Sequence, residues 1–281
     1  YWDISIDPQG DVSKEVTAKF INGYVPVCSK EDLYDDRILE GKKSDEKKEE
    51  LIDLIKEESP RTFGHIASKA LNFKRDGDGF CGIEALGILK ADVDQLGLLM
   101  SCGLHREQFT ISRLATLSRQ LNYYFAVYLP HLLKTDERFI DIYTVFAGGD
   151  DLFLIGPWNR IIDLVSVLCR TFADYVCHND EIHFSAGISL HKPNTPLSKL
   201  ADSSEEALEK SKSKEGKDSI TLFSETVKWE EFMDLLEIKN TIWRWYKNDQ
   251  INKAMIYRLN DFIGLAQMEK HILNQKECLK S

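Results

Sequence analysis

No CxxC spacing, zinc-knuckle pattern or regular framework links the six cysteines of this 281-residue chain: Cys28, Cys81, Cys102, Cys169, Cys177 and Cys278. That scatter argues against a cysteine metal site and a disulfide scaffold, and fits reduced thiols in a cytoplasmic protein. A signal peptide and an apolar run long enough to span a membrane are both missing, so no membrane partner is expected. Excess positive charge is missing too. The 36 Lys and Arg against 46 Asp and Glu give a net charge of -10, which speaks against a broad basic face for naked nucleic acid. Any polyanion partner must meet a local basic patch or a bound cation. What is present is a 43% share of hydrophobic residues, enough for one large globular domain or two ordinary ones. The chain starts at Tyr1 without a methionine and stops inside a helical pattern, which reads as a piece of something longer.

Residues 1–78 show little periodicity. Within them Glu40–Pro60 is charge-dense with a few apolar residues at helical spacing, a solvated helix or connector. The cluster KRDGDGF punctuates the chain before a new domain. From Glu84 the pattern sharpens: EALGILKADVDQLG is an apolar run ending in two aspartates, a strand, and Phe109–Leu133 follows as a long helix. YTVFAGGDDLFLIGPW, at 143–158, reads as a hairpin of two β-rich runs around a tight turn. A helix at Asn159–Val176, the strand IHFSAGISLH, the helix LSKLADSSEEALEKSKSK and the short strand SITLF complete the series.

The order is βαββαβ with an extra αβ appended. It predicts an α+β, ferredoxin-like domain over 79–225, an antiparallel sheet with helices packed on one face. Residues 226–281, helical from TVKWEEF onward, predict a small all-α domain. There Trp229, Trp243, Trp245 and Tyr246 share helical spacing with apolar neighbours and read as core or subunit contacts rather than a base-stacking platform.

In the ferredoxin-like topology the first and second strands flank the third, so the end of strand one lies beside the turn joining strands two and three. Asp92 is thereby expected near Asp150 and Asp151. Three carboxylates held close repel one another unless a proton or cation sits between them. Hard oxygen donors suit Mg2+ or Mn2+, with substrate phosphates filling the remaining positions, and a nucleoside triphosphate on two ions fits. Gly148 and Gly149 would let the nucleotide approach the turn closely. The plain alternative is a solvated hairpin turn, in which Gly-Gly and Asp are ordinary residues.

YTVFAGGDDLFLIGPW, GILKADVDQLG and SRLATLSRQLNYYF, with AGIS and LADSSEEALEKSKSKEGKDSITLF, resemble the second palm domain of the large, Csm-type subunit of type III CRISPR effector complexes. The likeness covers about residues 62–245. It implies a nucleotide-cyclase-like palm at 79–225, the end of a linker domain at 1–78 and that subunit's C-terminal helical domain at 226–281. The implied activity is nucleotidyl transfer by a two-metal-ion mechanism, converting ATP to cyclic oligoadenylates through 3′ to 5′ linkages. Target RNA is the implied activator, and the other effector subunits and guide RNA are the implied partners. By motif, Asp150 and Asp151 are the GGDD aspartates, Asp92 is the strand-one metal ligand and Lys212 the helix-borne lysine that contacts nucleotide phosphate. Asp94 reads as a loop or helix-capping residue instead.

Departures from the family limit what is carried over. One extra residue separates Lys212 from GKD. None of the seven histidines is followed by Asp, so the family's His-Asp nuclease is not expected of this chain. Nothing repeats the strand-helix-hairpin pattern of 84–156, so the first palm domain, which faces the second across the nucleotide site, is not seen. Two rival readings stay open. A diguanylate cyclase shares the palm and a GG[DE]EF turn, but the turn here reads GGDDLF, and RFID at Arg138–Asp141 is spaced one residue too far from it to be that family's inhibitory RxxD. A non-catalytic scaffold fragment would need only the helical tail.

Overall fold

Leu86–Val93 is apolar at nearly every position because both of its faces are covered. The computed structural model describes residues 23–40, 45–53, 55–74 and 79–278. In chain order the elements are α1 (Asp45–Asp53), α2 (Phe63–Ser68), the two-residue strands β1 (Asn72–Phe73) and β2 (Phe80–Cys81), β3 (Leu86–Val93), α3 (Leu96–Cys102), α4 (Ile111–Tyr123) and α5 (Leu129–Thr135). There follow β4 (Tyr143–Gly148), β5 (Asp151–Pro157), α6 (Trp158–Tyr175), β6 (Phe184–His191), α7 (Leu197–Ser213), β7 (Ser219–Leu222), β8 (Glu225–Lys228), α8 (Trp229–Lys247) and α9 (Lys253–Cys278). Part of the charged Glu40–Pro60 stretch forms α1, whereas residues 41–44 and 54, and 75–78 of the turn cluster, lie outside the described residues.

Six strands form one sheet in the order β4-β5-β3-β6-β7-β8, antiparallel except for the parallel β6–β7 pair. The first four are the ferredoxin-like set, with β5 between β4 and β3 as that topology requires. Helices cover both faces rather than the one expected. Gly87 and Gly156 pair across β3 and β5, and their missing side chains admit α6: a Cβ on Gly87 would lie 2.8 Å from Trp158 Cα. Gly187 pairs with Lys90 and so points to the opposite face, where a Cβ would lie 2.2 Å from the Leu208 nitrogen of α7. The appended helix thus occupies the face that the βαββαβ unit leaves open.

The predicted Phe109–Leu133 helix runs as α4, a wider π-helical turn at Tyr124–Tyr128, and α5. The wide turn directly precedes Pro130, which cannot donate a backbone hydrogen bond. Tyr124 fastens this layer to α6: its hydroxyl is 2.7 Å from Thr171 Oγ1, and its ring meets Phe125, Phe172 and Tyr175. On the α7 face, Ile66 and Ala67 of α2 pack with Leu86, Ile88, Ile155 and Leu200.

The helix expected from Thr226 begins at Trp229. Thr226 and Val227 pair instead with Thr221 and Ile220, after a turn at Phe223 and Ser224 with φ of 54° and 68°. The chain divides into two compact units after Trp229. Trp229 is core, 6% exposed, and its indole N–H donates to Phe184 O at 2.7 Å. Trp243 and Trp245 are exposed, which removes the core alternative for them and leaves that of subunit contacts, and the Lys247 ammonium lies over the Trp243 ring. No helix among the described residues is long and apolar enough to cross a membrane.

Candidate functional site

Asp92 stands directly opposite Asp151 in the β3–β5 ladder, and Asp151 opposite Gly148 in the β4–β5 ladder. Gly149 and Asp150 are therefore the whole turn. Gly149 has φ +69°, a backbone state that suits glycine, and a Cβ there would meet nothing within 4 Å. Its conformational need is thus clear, and the space above it stays open to a ligand. Gly148 faces Asn122 of α4, with 3.4 Å left between a Cβ and Asn122 Oδ1.

Two main-chain contacts fix the turn. Gly149 N–H donates to Asn122 Oδ1 at 2.8 Å, and Val93 N–H donates to the Asp150 carbonyl at 2.9 Å. Asn122 was not singled out from sequence, where it is one polar residue on a mixed helix. A sequence signal does exist, since LNYYF belongs to the motif that carries the resemblance.

The electrostatics show what the site is short of. Lys212 Nζ, on α7, is 2.8 Å from Asp92 Oδ2, while Lys90, one pleat back on the Asp92 face, pairs with Glu205. Asp151 Oδ1 is buried with no hydrogen-bond partner among the described residues. Burial pushes the Asp151 carboxyl up to about 6, with Lys90 opposing and Asp92, Asp150 and Glu205 adding to the rise. Asp92 is also raised, by burial first, although Lys212 pulls it down; Lys212 in turn is raised by Asp92 against its own burial. Both partners of one ion pair move up. Burial decides the direction for Asp92, with Asp150 and Asp94 adding to it, whereas Asp92, helped by Glu209 and Glu205, outweighs burial for the ammonium.

The extra residue before GKD does not displace Lys212. Its neighbour Ser211 is buried, donates to Ala186 O at 2.6 Å and lies 2.7 Å from Thr221 Oγ1, pinning the end of α7 to β6 and β7. Asp94 lies in the turn after β3, a loop residue as expected, and caps no helix. Its buried Oδ2 accepts from Ser185 Oγ at 2.9 Å and Asp218 N–H at 3.1 Å and lies 2.7 Å from His183 Nδ1, joining β3, β6 and β7. Arg138 is exposed and pairs with Asp136.

A tighter group of possible ligands lies elsewhere: Asp32, Asp35 and His65 offer atoms within 4.8 Å of one another. A cleft of about 800 Å3, lined in part by Asp32, Arg37, Arg61 and Lys69, opens there. Cations already fill that group. Arg61 donates to Asp32 Oδ2 at 2.7 Å, and Lys69 pairs with both Asp32 and Asp35. The hairpin set is the one that fits an added metal ion, because it holds hard oxygen donors, an orphaned buried carboxylate oxygen and too few cations.

Residues 85–221 match the family model described as Cas10/Cmr2, second palm domain. This stretch belongs to that family. A curated relative of the palm, the CRISPR system single-strand-specific deoxyribonuclease Cas10/Csm1 (subtype III-A) of Methanocaldococcus jannaschii, is 34% identical over 218 residues, 69% of this chain and 26% of the relative. Two solved structures, Csm1-Csm4 cassettes in complex with one ATP and in complex with cA3, each align with a TM-score of 0.53 and 25% identity, over 64% of this chain and 26% of theirs. The chain spans about a quarter of the length of the curated relative it matches. Within the palm, Asp92 lies on β3, Gly148 ends β4, Gly149 and Asp150 form the turn, Asp151 starts β5 and Lys212 lies on α7.

Proposed function

We propose that this palm supplies one half of a nucleotidyl-transfer site that converts ATP to cyclic oligoadenylates within a type III-A effector complex. The carrying observation is the convergence of Asp92, Asp150 and Asp151 at the end of β3 and the β4–β5 turn, with Asp151 Oδ1 unpartnered. The Csm1-Csm4 cassettes with one ATP and with cA3 share this fold and support the reading.

In the proposed reaction the 3′-hydroxyl of one nucleotide attacks the α-phosphorus of another. A new P–O bond forms, the bond to pyrophosphate breaks, and the hydroxyl proton leaves to solvent or a base. Asp92, Asp150 and Asp151 would hold the ions, Mg2+ or Mn2+, which when bound lower the pKa of the attacking hydroxyl and offset charge on the leaving pyrophosphate. Lys212, released from Asp92, would reach a phosphate oxygen, and the open space over Gly149 would take the triphosphate. A first palm domain would supply the other half, with the other subunits and guide RNA as partners and target RNA as activator. The deoxyribonuclease activity named for the relative is not assigned to these residues.

Calorimetric titration of ATP into the chain with Mn2+, beside the Asp150→Ala/Asp151→Ala variant and a GTP titration, tests this. Binding of ATP that the variant loses supports the reading. Equal binding by both proteins, or a preference for GTP, overturns it.

A further inference from the structure

The segments 23–26 and 61–63 grip the chain where it enters β4. The Tyr24 hydroxyl donates to Ile140 O at 2.9 Å, and the Tyr24 carbonyl accepts from Thr144 N–H at 2.8 Å. Arg61, 6% exposed, bridges Asp141 and Asp32, while its backbone N–H donates to Pro26 O at 2.9 Å and so ties it to the segment that carries Tyr24. The Phe63 ring meets Tyr143 edge-on, with centroids 6.3 Å apart. Gly23 lies so close to α5 that a Cβ would fall 2.3 Å from Pro130 Cγ.

β4 is an edge strand of the sheet, with β5 on one side. An edge strand lacks the second ladder that stiffens an inner one. Here the Tyr24 backbone replaces that ladder at Thr144. Beyond it the register slips between Thr144 and Phe146, and Phe146 is 41% exposed. The hairpin is thus held at its base by Tyr24, Arg61 and Phe63 and at its tip by Asn122, with a bulge between the two holds.

We propose that Tyr24 and Arg61 form a positioning clamp: their grip on Ile140–Thr144 sets the placement of the Gly149–Asp150 turn, and a displacement of the segments 23–26 and 61–63 is transmitted to it. The functional weight of this clamp rests on the turn being the nucleotide site; the mechanical coupling does not.

Hydrogen exchange on the whole chain, without metal or nucleotide, tests the coupling in Asp141→Ala, Asp141→Glu and Tyr24→Phe. In Asp141→Ala, amides of 146–152 should exchange about tenfold faster while α6 and β6 keep their protection, and Asp141→Glu should restore most of the difference. Faster exchange confined to 140–144, or spread evenly through β3 and β6, overturns the proposal. Should Asp141→Ala fail to fold, Tyr24→Phe, which removes one hydroxyl, is judged by the same pattern at a smaller amplitude. Manganese-ATP calorimetry on the same proteins separates the two readings. Exchange coupling with no manganese-ATP binding by the wild-type chain would leave the clamp standing and show that this half-site does not hold ATP by itself, whereas ATP binding without the coupling would overturn the clamp alone.

Discussion

Two carboxylate clusters in this chain are built in opposite ways. Asp32 accepts from Arg61, from Ser29 N–H and from Lys69, and Asp35 is bound by Arg37 and Lys69. Asp92 has Lys212, and Asp151 keeps a buried oxygen with no partner. Burial pushes all four carboxyls up. The donors around Asp32 and Asp35 overcome it and hold both well below the usual range, whereas Asp151 and Asp92 end above it. A cluster satisfied by its own cations is mortar. A cluster left short of positive charge suits a cation from outside, as the proposed function requires.

The largest effect that would test this contrast is at Asp32. Asp32→Ala leaves Arg61 and Lys69 short of an acceptor in a buried place and should cost about 3–5 kcal/mol in urea unfolding. A loss below about 1 kcal/mol would break the comparison from its structural side. Next comes metal itself: Mn2+ at a hundredfold excess over its Kd should stabilise the wild-type chain by about 2.7 kcal/mol and leave Asp150→Ala/Asp151→Ala unmoved in thermal unfolding.

Opposite pH signs are the third consequence. The Asp151 carboxyl sits higher in the folded chain, at about 6, than in the unfolded one, so its contribution is present below about pH 4 and is lost as pH rises through 6. Metal-free Asp151→Asn should therefore gain about 1–2 kcal/mol on the wild type between pH 4 and pH 7. Asp32 and Asp35 are depressed, so their contribution is present above about pH 4 and fades as pH falls below it. Parallel stability curves for Asp151→Asn and the wild type would remove the contrast. The smallest effect is at Lys212, whose ion pair is partly exposed. Lys212→Met should change stability by less than about 1 kcal/mol yet weaken manganese-dependent ATP binding several-fold.

The hairpin was legible in the sequence because alternating β-rich runs and a Gly-Gly turn are local signals, and topology alone then carried Asp92 to Asp151. The Arg61 cluster was not, since its members lie 29 and 80 residues apart and no periodicity joins them. Strand β8 hid for a different reason. Its turn uses Phe223 and Ser224 at positive φ where glycine or asparagine would have announced a hairpin, and four residues later a helix begins. Helix α7 shows in the sequence as an element but its face does not, since the close approach at Gly187 and the packing of Leu200 on Leu86 and Ile88 are set by the fold and not by a local pattern.

The bond from Val93 N–H to the Asp150 carbonyl has a reach beyond the turn it closes. It belongs to the main chain, as do the ladder bonds that set Asp92 against Asp151, so the spacing of the carboxylates is a property of the scaffold and not of the groups it displays. Neutral replacements at these positions would therefore change the charge on an unchanged ruler.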